Sequence, residues 1–174
     1  AGAGAPTPRV GSCAFRDRLL EHAATGGPRL KAAGAVLWAT LAMVELAGGM
    51  VYTQAFASFT GPGRSPWDTT RWSGGSSSGP GAAVGAGLVP FSIGSETWGS
   101  LAFPAAFCGV TGLRPTYGRV SRHGAMSLSW SMDKLGPLAR TAEDCAIVLA
   151  AIAGPDPNDP TSLRSTFHHA TSQP

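Results

Sequence analysis

The chain has 174 residues and a mass of 17.7 kDa, enough for one ordinary domain, and 13 basic against 10 acidic residues leave a net charge of +3. Gly (24) and Pro (14) are abundant, yet 43% hydrophobic residues argue for a packed body and exclude general disorder. Charged residues make up only 13%, against the usual ~25%, so the chain reads as the inner part of a larger body.

Arg114, Arg119, Arg122, Lys134 and Arg140 stand singly among apolar and Gly residues rather than in a stripe, which argues against direct nucleic-acid binding. Cys13, Cys108 and Cys145 are odd in number, widely spaced and without a CxxC or Cys/His ligand spacing. Buried reduced thiols, no metal and a cytoplasmic protein are therefore expected. The uncharged windows at 72–95 and 97–113 are full of Gly and Ser or broken by Pro104, so no membrane span is expected, and no signal-peptide pattern opens the chain.

Residues 1–9 are small and Pro-containing, a loop or strand edge. Residues 16–33 have a helical pattern that Gly26-Gly27-Pro28 is expected to break. Residues 35–37 form a short apolar strand candidate, 41–46 can turn helically, and 61–75 read as a long surface excursion. A short helix is expected at 79–86, a strand at 88–93, a buried apolar run at 101–110 and another strand at 117–121. The clearest helix runs from 141 to 153, with Thr141 as cap, Glu143 and Asp144 at its positive end, and Gly154-Pro155 as its stop. Its apolar face is Ala142, Cys145, Ala146, Val148, Leu149 and Ile152. Short strands alternating with helices give an α/β class, with a domain over 1–162 and an irregular tail over 163–174.

The informative stretch is Gly74-Gly75-Ser76-Ser77-Ser78-Gly79, followed by Gly94-Ser95-Glu96-Thr97-Trp98-Gly99-Ser100. Taken alone, Gly75 to Gly79 fits G-x-S-x-G with Ser77 as nucleophile, although the strand that motif requires does not precede it. It also fits a Gly-rich anion cradle before a helix, without the lysine or ribose partner of a nucleotide site. A flexible loop is the third possibility.

Taken with what surrounds them, these motifs resemble the amidase signature family of serine hydrolases. The likeness runs through Gly63-Arg64-Ser65-Pro66-Trp67-Asp68, the Gly74 loop and the Gly94–Ser100 string. It continues through Pro104-Ala105-Ala106-Phe107-Cys108-Gly109-Val110, Gly112-Leu113-Arg114-Pro115-Thr116-Tyr117-Gly118-Arg119-Val120-Ser121, Asp133, Gly136-Pro137 and Arg140. The resemblance implies an α/β core with a mixed β-sheet flanked by helices. It also implies hydrolysis of a carboxylic amide through an acyl-enzyme on Ser100, without metal or organic cofactor. Ser76 would lie in a cis peptide and relay a proton, and the backbone N–H groups of Thr97, Trp98 and Gly99, with that of Ser100, would form the oxyanion hole. Such an arrangement is chemically sound: a serine hydroxyl needs a base to take its proton, and Gly-rich backbone lets N–H donors face the developing oxyanion.

The family's base is a lysine in an upstream Lys-Asp motif. Residues 3–7 resemble the segment just after that motif, so neither Lys31 nor Lys134 stands at its position, and a fragment inactive by itself is the expectation. Glu96 stands where Asp is usual, Ala102 where Arg is usual, and Trp98 where many members have Gly; Trp98 either shapes the pocket or packs in the core. His123 is the one histidine weighed as a Ser–His partner, with no carboxylate evident to orient it, while His22, His168 and His169 read as exposed. Two alternatives stand beside a general amidase: the glutaminase component of a tRNA-dependent amidotransferase (its A-subunit), and an inert truncated binding module. The string Ser127-Leu128-Ser129-Trp130-Ser131-Met132-Asp133 favours the general amidase. The expected partner is a small-molecule amide, and the sequence leaves the oligomeric state open.

Overall fold

A computed structural model describes residues 23–48 and 60–169. The expectations for residues 1–9 and for Cys13 and His22 lie outside the described residues. Among the described residues, four α-helices, α1 (Gly26–Ala32), α2 (Ser78–Gly85), α3 (Ala102–Cys108) and α4 (Ala142–Ile152), accompany three strands, β1 (Phe91–Glu96), β2 (Thr111–Gly112) and β3 (Lys134–Ala139). The strand order is β1-β3-β2. The α/β architecture is as expected, but both strand pairings among the described residues are antiparallel, where the resemblance implied a mixed sheet.

The register pairs Phe91 with Ala139 and Glu96 with Lys134. Because side chains alternate across a strand, this register sorts the sheet into two faces. Leu138 packs with Val84 of α2 and with Leu101 and Ala105 at α3. Ile93 and Leu135 lie on the other face, against Leu149 and Ile152 of α4 together with Val120. Thus α2 and α3 cover one face and α4 the other, with Leu30 of α1 packed against the α4 cluster.

Helix α4 forms as its sequence dictates. Thr141 Oγ1 accepts from Asp144 N at 3.0 Å, and Cys145, Val148, Leu149 and Ile152 are buried at helical spacing. Arg29 closes its far end, with Nη1 donating to Ile152 O at 2.8 Å and to Gly154 O at 3.1 Å. Gly26-Gly27-Pro28 opens α1 instead of breaking it. A proline in the first helical turn gives up an N–H that would have no intrahelical partner there.

Other local expectations shift. Residues 35–37 form no strand, and Val36 and Leu37 are exposed. A 3₁₀ turn at Glu45–Ala47 is all that forms of the helical turn at 41–46. The strand expected at 88–93 lies at Phe91–Glu96, and 117–121 is a turn with one bridge, Val120 to Ala153. The run 101–110 is helical and only half buried: Leu101, Pro104, Ala105 and Cys108 face inward while Phe103 and Phe107 are exposed. Beyond α4, Leu163 N donates to Gly118 O at 2.8 Å, and Phe167 packs against the α4 cluster.

Candidate active site

The even-numbered residues of β1 build one half of the site. Ser92 Oγ donates to Pro80 O at 3.1 Å, fastening β1 to α2. Gly94 lets the serine loop approach: a Cβ there would lie 2.6 Å from Ser77 Oγ and 2.7 Å from Leu101 Cδ2. Glu96, 1% exposed, turns its carboxylate onto the start of α3. Its Oε2 accepts from Leu101 N at 2.8 Å and Ala102 N at 2.9 Å, and Oε1 accepts from Arg114 Nη1 at 2.9 Å. An anionic acceptor at a helix start answers amides that have no partner within the helix. The Glu96 and Ala102 departures therefore meet at one point.

Between β1 and α3 the chain makes the turn that carries Thr97, Trp98, Gly99 and Ser100. Its carbonyls are committed: Thr97 O accepts from Lys134 Nζ at 3.0 Å, Gly99 O from Phe103 N at 2.8 Å and Ser100 O from Ser77 N at 3.2 Å. In a trans peptide the N–H points opposite to the C=O. The Trp98 N–H is therefore directed away from Lys134, and the Ser100 N–H away from the helix that follows it. Lys134 belongs to β3, from which it steadies this turn.

The Ser77 N–Ser100 O bond also joins the two serine motifs. Gly75–Ser76 is a cis peptide, as the resemblance implied. Ser76 is fully buried, and its Oγ has no partner among the described residues. Gly74 adopts φ +79°, and a Cβ there would lie 2.9 Å from the Phe103 backbone, so the loop needs glycine to sit against α3.

This geometry removes all three readings of the loop taken alone. Ser77 Oγ donates to Ser95 O at 3.2 Å and accepts from Ser95 N at 3.1 Å, which spends the hydroxyl on β1 and leaves no elbow nucleophile. At the start of α2, Gly79 N donates to Ala42 O at 2.8 Å and Gly81 N to Ser77 O at 3.2 Å, so these amides do not cradle an anion. The loop is a packed element whose neighbours fix it, not a flexible one.

Ser100 and Thr97 open onto a cavity of about 220 Å³. Ser95, Leu135 and Asp133 line it, as do Met126, Ser127, Leu128 and Trp130. Ser76, Trp98 and Gly99 lie outside that lining. Trp98 is 66% exposed, so it is not a core residue among the described residues. His123 lines the same cavity; its ring is exposed and its backbone N donates to Ser121 Oγ at 3.2 Å. The nearby Asp156 does not orient it, because its oxygens accept from Ser121 Oγ at 2.5 Å, Thr25 Oγ1 at 2.6 Å and Asn158 N at 2.9 Å. These bonds hold the Asp156 carboxyl far below the usual carboxylate range.

Three charged residues at the cavity were not singled out for roles by sequence. Arg122 donates from Nη1 to Trp130 O at 2.5 Å and from Nη2 to Tyr117 Oη at 2.7 Å and Thr161 Oγ1 at 2.9 Å, with its guanidinium over the Tyr117 ring. Asp159 accepts from Arg122 N at 2.7 Å and Thr161 N at 3.0 Å. Asp133 accepts from both sides of the cavity, and the register that sets Glu96 opposite Lys134 is the signal that could have paired it with Thr97. Among the described residues no group of His, Cys, Asp and Glu is arranged to hold a metal ion.

Comparison with known proteins agrees with the motif order. The Amidase family model matches residues 4–174. The chain belongs to the amidase signature family. It is 50% identical over 157 residues to AmiD of Mycobacterium tuberculosis, which carries a provisional amidase name; the match covers 90% of this chain and 32% of AmiD. It is 53% identical over 139 residues to the A-subunit of the glutamyl-tRNA(Gln) amidotransferase of Geobacillus stearothermophilus, covering 80% of this chain and 28% of that relative. Among solved structures, the native peptide amidase of Stenotrophomonas maltophilia superposes with a TM-score of 0.85 at 39% identity, over 92% of this chain and 33% of that enzyme. The chain spans about a third of the length of the curated relatives it matches. Within this amidase family member, no helix of the described residues is long and apolar enough to cross a membrane.

Proposed function

We propose that the gene product carrying this chain hydrolyses a carboxylic amide through an acyl-enzyme on Ser100. The observation that carries this reading is the joining of two serine motifs by the Ser77 N–Ser100 O bond, with Ser100 beside a cavity and Ser76 fully buried. Ser76 Oγ has no partner among the described residues, so its hydroxyl is not committed to a structural bond there and is left for the nucleophile and the base that a relay must bridge. Ser100 attacks the amide carbon as its proton passes through Ser76 to a base, which the family likeness gives as a lysine kept neutral by desolvation. The turn at Thr97, Trp98 and Gly99 presents backbone N–H groups to the tetrahedral oxyanion. Collapse expels ammonia or an amine, and water then releases the acid. The buried thiols Cys108 and Cys145, free of disulfides, fit a reducing compartment such as the cytoplasm.

The test is turnover of a panel of primary amides and anilides by the full-length gene product beside its Ser100→Ala variant. Turnover that disappears in the variant supports the reading; equal turnover by both overturns it. The likeness to the amidotransferase relatives sustains a second reading, a glutaminase that works with partner proteins. Ammonia release from glutamine that rises on adding such partners would favour it. A stable product that binds a partner but never turns over would instead indicate a binding module.

A further inference from the structure

We propose that Asp133 is a positioning residue that fastens the cavity wall at residues 127–129 to the oxyanion turn at Thr97. This role presupposes acylation at Ser100. It follows from the ladder: Glu96 pairs with Lys134, so the next step past the strand ends sets Thr97 opposite Asp133. Opposite residues of an antiparallel pair project from the same face, and here that face is the cavity. Asp133 Oδ1 accepts from the Thr97 hydroxyl and from Ser129 N at 3.1 Å. Oδ2 accepts from Ser127 Oγ at 3.0 Å, Leu128 N at 2.8 Å and Ser129 N at 3.0 Å.

With both oxygens filled, the carboxylate of this buried residue has no lone pair left for a reacting proton, so its part is not that of a base or nucleophile. What it does is hold. Thr97 is gripped twice, its hydroxyl by Asp133 and its carbonyl by Lys134 Nζ, and the grip fixes the peptide plane that directs the Trp98 N–H. Through its other bonds, the Leu128 and Ser129 amides are gathered onto one point, which sets the stretch bearing the apolar side chains of Met126, Leu128 and Trp130 in the lining of the cavity that Ser100 shares. A single side chain thus couples substrate fit to oxyanion geometry, and each arm can be cut separately.

The experiment measures inactivation of the full-length gene product by an alkyl fluorophosphonate, which separates reversible binding (KI) from the chemical step (kinact). Thr97→Val cuts only the turn arm and is expected to lower kinact about tenfold with KI within about twofold, a small part of the ~10²–10³ that loss of an oxyanion donor costs. Ser127→Ala cuts one bond of the wall arm and is expected to raise KI about threefold with kinact kept. Asp133→Asn moves both constants, each at least as far as the single-arm variants do. The proposal is overturned if Asp133→Asn, folded, leaves both constants within twofold of wild type. It is equally overturned if all variants change kinact and KI in one proportion that tracks their thermal midpoints. Should Asp133→Asn fail to fold, the opposite signatures of Thr97→Val and Ser127→Ala support the proposal, and their absence overturns it. A wild-type protein with no adduct on Ser100 overturns the acyl-enzyme reading and this role with it, whereas a labelled wild type with unmoved variants overturns this role alone.

Discussion

Replacing Glu96 with alanine should be among the most damaging single changes outside the serines, and its size can be worked from the structure. The carboxylate is buried and supplies the acceptor for Leu101 N and Ala102 N, so its loss strands two amides at the start of α3. Leu101 is fully buried, and its orphaned N–H costs about 2–3 kcal/mol. Ala102 is exposed and can be met by water, which limits its share to about 1 kcal/mol. The Arg114 partner is 56% exposed, so losing that pair adds no more than about 1 kcal/mol after solvent screening. About 4 kcal/mol is expected, a large part of the ~5–15 kcal/mol that stabilises a domain. Glu96→Gln keeps a neutral acceptor for both amides and should cost about 1–2 kcal/mol. Urea unfolding of the full-length gene product, compared by midpoint at constant slope, measures both. A Glu96→Ala variant within about 1 kcal/mol of wild type would refute the capping role, and a Glu96→Gln variant as damaged as Glu96→Ala would show that charge rather than acceptor geometry matters.

Four further outcomes are expected. Ser76→Ala should lower turnover strongly while leaving the thermal midpoint near wild type, since its hydroxyl bonds nothing described; unchanged kcat would refute the relay. Burial pushes the Cys108 thiol up to about 11 and raises Cys145 as well, so neither should react with a thiol reagent at pH 8 until denaturant is added. The hydrogen bonds from Ser121, Thr25 and Asn158 depress the Asp156 carboxyl, so its stabilising contribution is complete above about pH 4, near the unfolded value, and is lost as pH falls toward the folded one. Asp156→Asn should accordingly be less stable at pH 7 and show a shallower loss of thermal midpoint below pH 4. Arg29→Ala removes donors from the carbonyls closing α4 and should cost about 1–2 kcal/mol in urea unfolding.

How far the sequence could be read depended on how local the determinants were. The α4 cap, acidic first turn and glycine stop all lie within a short stretch of chain, and the helix formed as read. Strand β3 was missed because Gly136-Pro137 argues against a central strand. The fold accommodates it by letting Pro137 act as acceptor, with Leu113 N donating to its O at 2.9 Å. The run 101–110 looked wholly buried because Phe103 and Phe107 are apolar, yet a helix against a sheet turns only one side inward. At the site, Ser76 and Ser100 were named through resemblance rather than spacing. The committed state of Ser77 needed the partner strand before it could be seen. Asp133 was visible as part of a motif, but its grip on Thr97 follows only from a register linking residues 36 apart.

The most direct test of the central claim is to map the adduct of an alkyl fluorophosphonate on the full-length gene product by mass spectrometry. Trypsin leaves residues 72–119 as one peptide, because it cleaves after Arg71 and Arg119 but not at the Arg114–Pro115 bond, so fragment ions must separate Ser76, Ser77 and Ser78 from Ser100. A single adduct on Ser100 that is absent from Ser100→Ala is the predicted result. An adduct on Ser77, or labelling that persists in Ser100→Ala, would contradict the assignment of the nucleophile.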